Sequence, residues 1–279
     1  MFRSRSFGWA RVAVTAVVLC GAVAAMALAH DMFLKPSQYF VPVNSTVPTV
    51  LLNGTFDRSM NSIVRSRLLD ISTVSPAGRT SVDTAGWEAK GDTSHVSFKT
   101  GPSGTYVFGV STKANEIELD AKDFTAYLKE DGLPDELARR EKSGESNADA
   151  KERYAKHVKS IVQVGDTRTE GFATALGYPA EIVPLDNPYA LAKGAALRVK
   201  ILVDGKPVVG QFVVFGARTP SGGTVAEKST RSSSDGTASI AVSGPGVWYV
   251  KFINMKRLSG QPDGVTHESK WATLTFATR

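Results

Sequence analysis

The stretch ALRVKILVDGKPVVGQFVVFGA, residues 196–217, sets two apolar runs on either side of Asp204-Gly205. In the first run Leu197, Val199, Ile201 and Val203 recur at every second position, the period of a half-buried strand. An Asp-Gly pair between such runs is a tight hairpin signal, because its two turn residues must take positive φ. Downstream, STRSSSDGTASIAV (229–242) repeats the signal at Asp235-Gly236. GVWYVKFIN (246–254) follows the turn Gly244-Pro245-Gly246, and ESKWATLTFAT (268–278) is the last run. About seven short strands in roughly ninety residues is the spacing of an immunoglobulin-like sandwich. Trp248 and Trp271 alternate with apolar neighbours and read as core residues.

Upstream, VPLDNPYALAKG (183–194) is non-periodic and punctuated by Pro184, Pro188 and Gly194, which places a boundary near residue 188. Before it, MFLKPSQYFV, PTVLLNGTF, IVRSRLLDIS, HVSFKT and TYVFGVST are strand-like runs separated by turns, an antiparallel sandwich in pattern. The period then changes. Residues 120–144 place Phe124, Tyr127 and Leu128 on one helical face, and residues 149–165 place Tyr154, Val158, Ile161 and Val162 on another. The expected fold is therefore mainly β: an N-terminal β-sandwich over 30–188 with a helical insertion at about 120–164, then an immunoglobulin-like β-sandwich over 189–279.

The first 29 residues have a different character. Arg3, Arg5 and Arg11 stand without an acidic residue, an apolar run spans Val12 to Ala29, and Ala27-Leu28-Ala29 is an A-x-A exit. That is a cleaved secretory signal peptide, and it points to the periplasm. The run has no basic stop after it, as an anchoring span would, and Leu19 before Cys20 disfavours lipid attachment. Cleavage after Ala29 removes the only cysteine, so the mature chain has neither disulfides nor thiolate ligands. It also reduces the net charge from +6 to +3, which leaves no basis for nucleic-acid binding. Residues 30–188 are net acidic and residues 189–279 net basic, a complementarity that favours contact between the halves.

No nucleophile elbow, phosphate loop, dinucleotide fingerprint or H-E-x-x-H is present. The chemistry left is that of four histidines. At a free N-terminus, the α-amine and Nδ1 of His30 can chelate one ion together, and such nitrogen pairs suit Ni, Co, Cu or Zn. Two donors bind weakly, so the fold must bring a third. His267 is the preferred partner, in a polar loop with Glu268 adding an oxygen donor, and His95 faces outward on a strand. His157, at the edge of an apolar face, reads as packed and hydrogen-bonded.

The opening AHDMFLKP (29–36) resembles the A-H-x-(Trp/Phe)-L-x-P start of the secreted DUF4198 family. The likeness continues through RYAKHVKSIVQVG (153–165), PLDNPYALAKGAALRVKILVDGKPVVG (184–210) and HESKWATLTF (267–276). Phe33 stands where many members have Trp. The resemblance implies a periplasmic β-rich domain of unknown function, some of whose members carry the label of a nickel or cobalt uptake component. His30 falls on the family's histidine after the cleavage site. Three functions follow as expectations. The first is a non-enzymatic binding protein that captures a divalent transition metal at His30 and passes it to an inner- or outer-membrane transporter. The second is a structural module binding an envelope protein. The third is a copper oxidase, which requires a second histidine facing His30.

Overall fold

The computed structural model describes residues 30–192 and 194–279, and the signal peptide expected over 1–29 lies outside them. In chain order the strands are β1 (Asp31–Pro36), β2 (Phe40–Val41), β3 (Thr46–Gly54), β4 (Leu68–Ser75), β5 (Gly78–Ser81), β6 (Glu88–Lys90), β7 (Thr93–Lys99), β8 (Gly104–Thr112) and β9 (Asn115–Leu119). Helices α1 (Ala121–Glu130) and α2 (Pro134–Lys142) follow. The remaining strands are β10 (Ala150–Val164), β11 (Ala180–Pro184), β12 (Ala196–Val203), β13 (Lys206–Pro207), β14 (Phe212–Arg218), β15 (Thr224–Arg231), β16 (Thr237–Ala241), β17 (Gly246–Arg257) and β18 (His267–Thr278).

Asp204 and Gly205 do turn the chain, with φ of 50° and 73°. The hairpin they make is short, pairing only Leu202 with Pro207 and Val203 with Lys206. Beyond it Gly210 donates to the carbonyl of Ser232, whose hydroxyl donates back to Val208. This anchors the chain as it leaves the sheet of β12, and Phe212–Arg218 joins a different one. The two apolar runs therefore face each other across a core, with Leu197, Val199 and Ile201 against Val213, Phe215 and Ala217.

A ten-stranded sheet runs through the molecule in the order β15-β14-β17-β18-β10-β8-β4-β5, with β2 and β9 also paired to β10. Strands from both sides of residue 188 share it, joined by the parallel pairing of β10 with β18. One four-stranded sheet (β1-β3-β7-β6) covers one of its faces, and another (β11, β12, β13, β16) covers the opposite face. The period of two sends alternate residues into two different cores. On β8, Tyr106, Phe108 and Val110 enter the first and Val107 the second, so all nine residues of β8 are buried. On β18, Ala272, Leu274 and Phe276 enter the second core. The hydroxyls of Thr273 and Thr275 point the other way and donate to the carbonyls of Met32 (2.7 Å) and Leu34 (2.6 Å) on β1.

The helical insertion is shorter than the expected 120–164. Pro134 starts α2 as a separate helix after the turn at Gly132, and the helical hairpin ends at Lys142. Residues 149–165 are not a helix: Ala150–Val164 is the strand at the centre of the large sheet. A strand buried on both faces shows no polar–apolar alternation. Here polar side chains also occupy core positions, so apolar residues at 154, 158, 161 and 162 mimicked a helical stripe. The α1–α2 pair packs Phe124, Tyr127 and Leu128 against Trp271 and Ile253. Trp248 and Trp271 are both 2% exposed.

Candidate functional site

His30 stands one residue before β1, half-buried, at a cleft of about 560 Å³. Strand β1, the loop after β3, the end of α1 and strands β14, β15 and β17 enclose it. Its floor is aromatic. Phe33 meets Phe56 and Tyr249 edge to face at 5.2 and 5.3 Å, and Tyr249 donates its hydroxyl to Glu227 at 2.7 Å.

Around that floor are charges that a core normally excludes. Asp31 and Lys251 form an ion pair with both side chains nearly buried. Only one carboxylate oxygen of Asp31 is used; the other, Oδ1, is buried without a hydrogen-bond partner. Asp131, which caps the C-terminus of α1, is half-buried, and burial together with the facing Asp31 raises its carboxyl to about 8. Lys156 donates to the backbone carbonyl of His30 and to Asn53 Oδ1 (2.9 Å), and its ammonium stands 4.9 Å from the Trp271 ring centroid. Burial pushes its pKa down to about 8 despite Asp31 and Asp131. The His30 imidazole lies below its ordinary value, through partial burial first and Lys156 second. It is therefore neutral at pH 7, the form that ligates metals.

The structure does not bring the other expected ligands to His30. Thr273 and Thr275 bond to Met32 and Leu34, which puts His30 level with Trp271. His267 lies four residues before that level, about 13 Å back along β18. Both its ring nitrogens are engaged: Nε2 donates to Glu136 (3.0 Å) and Nδ1 meets Thr266 Oγ1 (2.8 Å). Buried against Phe124, His267 pins α2 to the sheet. Glu268 points to the opposite face of β18 by the period of two. His95 sits in β7, across from Val50 and Glu88, in a separate groove with Lys35. His157 is buried on β10 and bonded to Ser111 (2.8 Å), packed as expected although on a strand. Accordingly Glu136→Ala is expected to cost about 1.5–3 kcal/mol, measured by urea unfolding.

Spacing alone missed Asp31, Asp131, Lys156 and Lys251. A lysine inside the apolar run VWYVKFIN was the one signal available, since a buried ammonium requires an acid from elsewhere in the chain. Among the described residues no three His, Cys, Asp or Glu side chains are placed to hold a metal. Any metal held at this cleft would therefore need a donor outside that set.

No curated protein matches the chain. Among solved structures, trypsin-activated alpha-2-macroglobulin from Escherichia coli aligns with 90% of this chain at 11% identity and a TM-score of 0.24. The chain spans 16% of the length of that protein. The profile of the family described as "Domain of unknown function (DUF4198)" matches residues 27–256, and the chain belongs to that family.

Proposed function

We propose that the protein is an exported, non-enzymatic binding protein that captures one divalent transition metal ion at His30 for delivery to a membrane transporter. The observation that carries this reading is the position of His30, held at a cleft next to an unpartnered buried carboxylate oxygen. After cleavage behind Ala29, the α-amine would start one residue before the sheet, with little slack to wander. The amine and Nδ1 of His30 supply two nitrogens, and Asp31 Oδ1 or the Asp131 carboxylate supplies oxygen. Asp131, protonated at neutral pH beside Asp31, is a group from which an arriving cation would release a proton. A histidine-brace oxidase would need a second histidine at His30, and His95, His157 and His267 all lie elsewhere.

Native mass spectrometry of protein exported to the periplasm, purified without chelator or N-terminal tag, tests the proposal. The expected mass starts at His30 and carries one Ni, Co, Cu or Zn. Inserting one alanine before His30 displaces the amine from the chelate ring and is expected to weaken binding by more than about tenfold, about 1.4 kcal/mol. A chain starting at His30 that takes up none of the four ions overturns metal capture and leaves an envelope-protein interaction module. A chain starting elsewhere overturns the amine's role.

A further inference from the structure

We infer that Met60 supplies a thioether ligand beside His30, which makes copper the ion this cleft selects; the inference rests on the reading of His30 as a metal-capturing N-terminus. Met60 lines the same cleft and is 47% exposed. A single exposed apolar side chain is ordinary. What distinguishes this one is how it is held. The backbone N–H of Met60 donates to the carbonyl of Asn53 (2.9 Å). Ser59 bridges to Gly54, and its hydroxyl accepts from the backbone N–H of Asn53 (3.0 Å). The side-chain oxygen of Asn53 accepts from Lys156, whose ammonium also holds the carbonyl of His30. Two bonded buried residues, Asn53 and Lys156, thus tie down Met60 and His30.

Gly54 makes the approach possible. A Cβ there would stand 2.3 Å from the Arg58 carbonyl oxygen and 3.1 Å from Met60 Cγ, so only glycine lets the loop fold back with the methionine lying over the strand. Gly54 is directly opposite Asp31 in the β1–β3 register. Cross-strand partners point to one face, so Met60 lies on the Asp31 side of the strand, facing the cleft that His30 also lines.

The donor chemistry then discriminates between ions. Carboxylate oxygens and nitrogens serve Ni, Co and Zn adequately, and a neutral thioether adds little for them. A soft sulfur beside imidazole and amine nitrogens favours copper, Cu(I) above all.

The test uses mature protein beginning at His30, as wild type, Met60→Leu and His30→Ala. Each is titrated anaerobically with Cu(I) against a chromophoric chelator, and with Cu(II) and Ni(II) against a competing ligand. Leucine nearly matches methionine in volume, so Met60→Leu is expected to stay folded, checked by its thermal transition. Met60→Leu is expected to weaken Cu(I) binding more than about tenfold and Ni(II) binding less than about threefold. It should also abolish sulfur scattering in the copper X-ray absorption spectrum. Copper held equally by wild type and Met60→Leu, with no sulfur in its shell, overturns the thioether and leaves capture at His30 standing. A wild type that binds none of the three probes overturns both.

Discussion

Replacing Glu181 by alanine is expected to cost about 3–5 kcal/mol of folding stability, more than any surface change in this chain. Glu181 lies in β11, 2% exposed, and pairs with Lys159 of β10 at 3.0 Å, itself 2% exposed. Its Oε1 also accepts the N–H of Leu176 (2.7 Å), and its Oε2 those of Gly177 (2.7 Å) and Tyr178 (3.1 Å). Alanine would strand a buried ammonium and three backbone donors between the central sheet and its cover. The opposite deletion is not equivalent. Lys159→Met leaves a carboxylate still cradled by three N–H groups, a stable arrangement without a lysine. Urea unfolding should therefore show Glu181→Ala losing at least about 2 kcal/mol more than Lys159→Met. Equal losses would mean that the ion pair, not the backbone cradle, holds this corner.

Glu181 also shows what the sequence allowed. A lone acid inside AEIVP reads as an edge residue until its lysine is known, and Lys159 sits in a segment whose period looked helical. Where one face meets a core and the other meets water, alternation was visible, as in β7 and β12. Where the strand is covered on both faces, as in β10, the polar residues at core positions find partners from distant chain. His157 finds Ser111, Lys159 finds Glu181, and Gln163 finds Thr105 (3.0 Å). Those partners are invisible to a local pattern. The same limit applies to the short Asp204-Gly205 hairpin: the turn type is local, but the layer that the following strand joins depends on Ser232.

The cleft was legible at one point. His30 was singled out by the expected signal-peptide exit, a reading of the chain's first thirty residues. Its surroundings were not, because β1 lies across β18, and Asp31 meets Lys251 some two hundred residues away in sequence. Choosing His267 and Glu268 as partners assumed that a polar loop would reach the N-terminus. His267 instead faces α2, four residues short of the level of His30, because Glu136 offers its buried ring a carboxylate. Met60 carried no motif. Its position comes from Gly54, where the absence of a side chain makes the contact possible.

Acid is expected to remove about 3 kcal/mol of stability through His157 alone as the pH falls from 6.5 to about 4. The ring is 2% exposed, its Nε2 has no partner, and burial lowers its pKa from 6.5 to about 4, with Lys270 adding to the shift and Asp204 opposing it. A depressed histidine means that the unfolded chain binds the proton first. Between those two values the unfolded state carries more protons, so stability falls with falling pH across that window and is flat in this group above it. Carboxylates held low by arginines, such as Glu145 at about 2, lose their contribution only below the ordinary glutamate range. That separates the two effects on the pH axis. His30 titrates in the same direction, but it is half-buried and retained in every variant compared. His157→Gln keeps a polar partner for Ser111 and cannot titrate. Urea unfolding from pH 7 to 4.5 should then show wild type losing stability relative to the variant, with the opposite slope contributed by the raised Asp131 carboxyl common to both. Parallel curves would show that the folded protein accommodates the imidazolium, which requires water or an anion to reach Nε2.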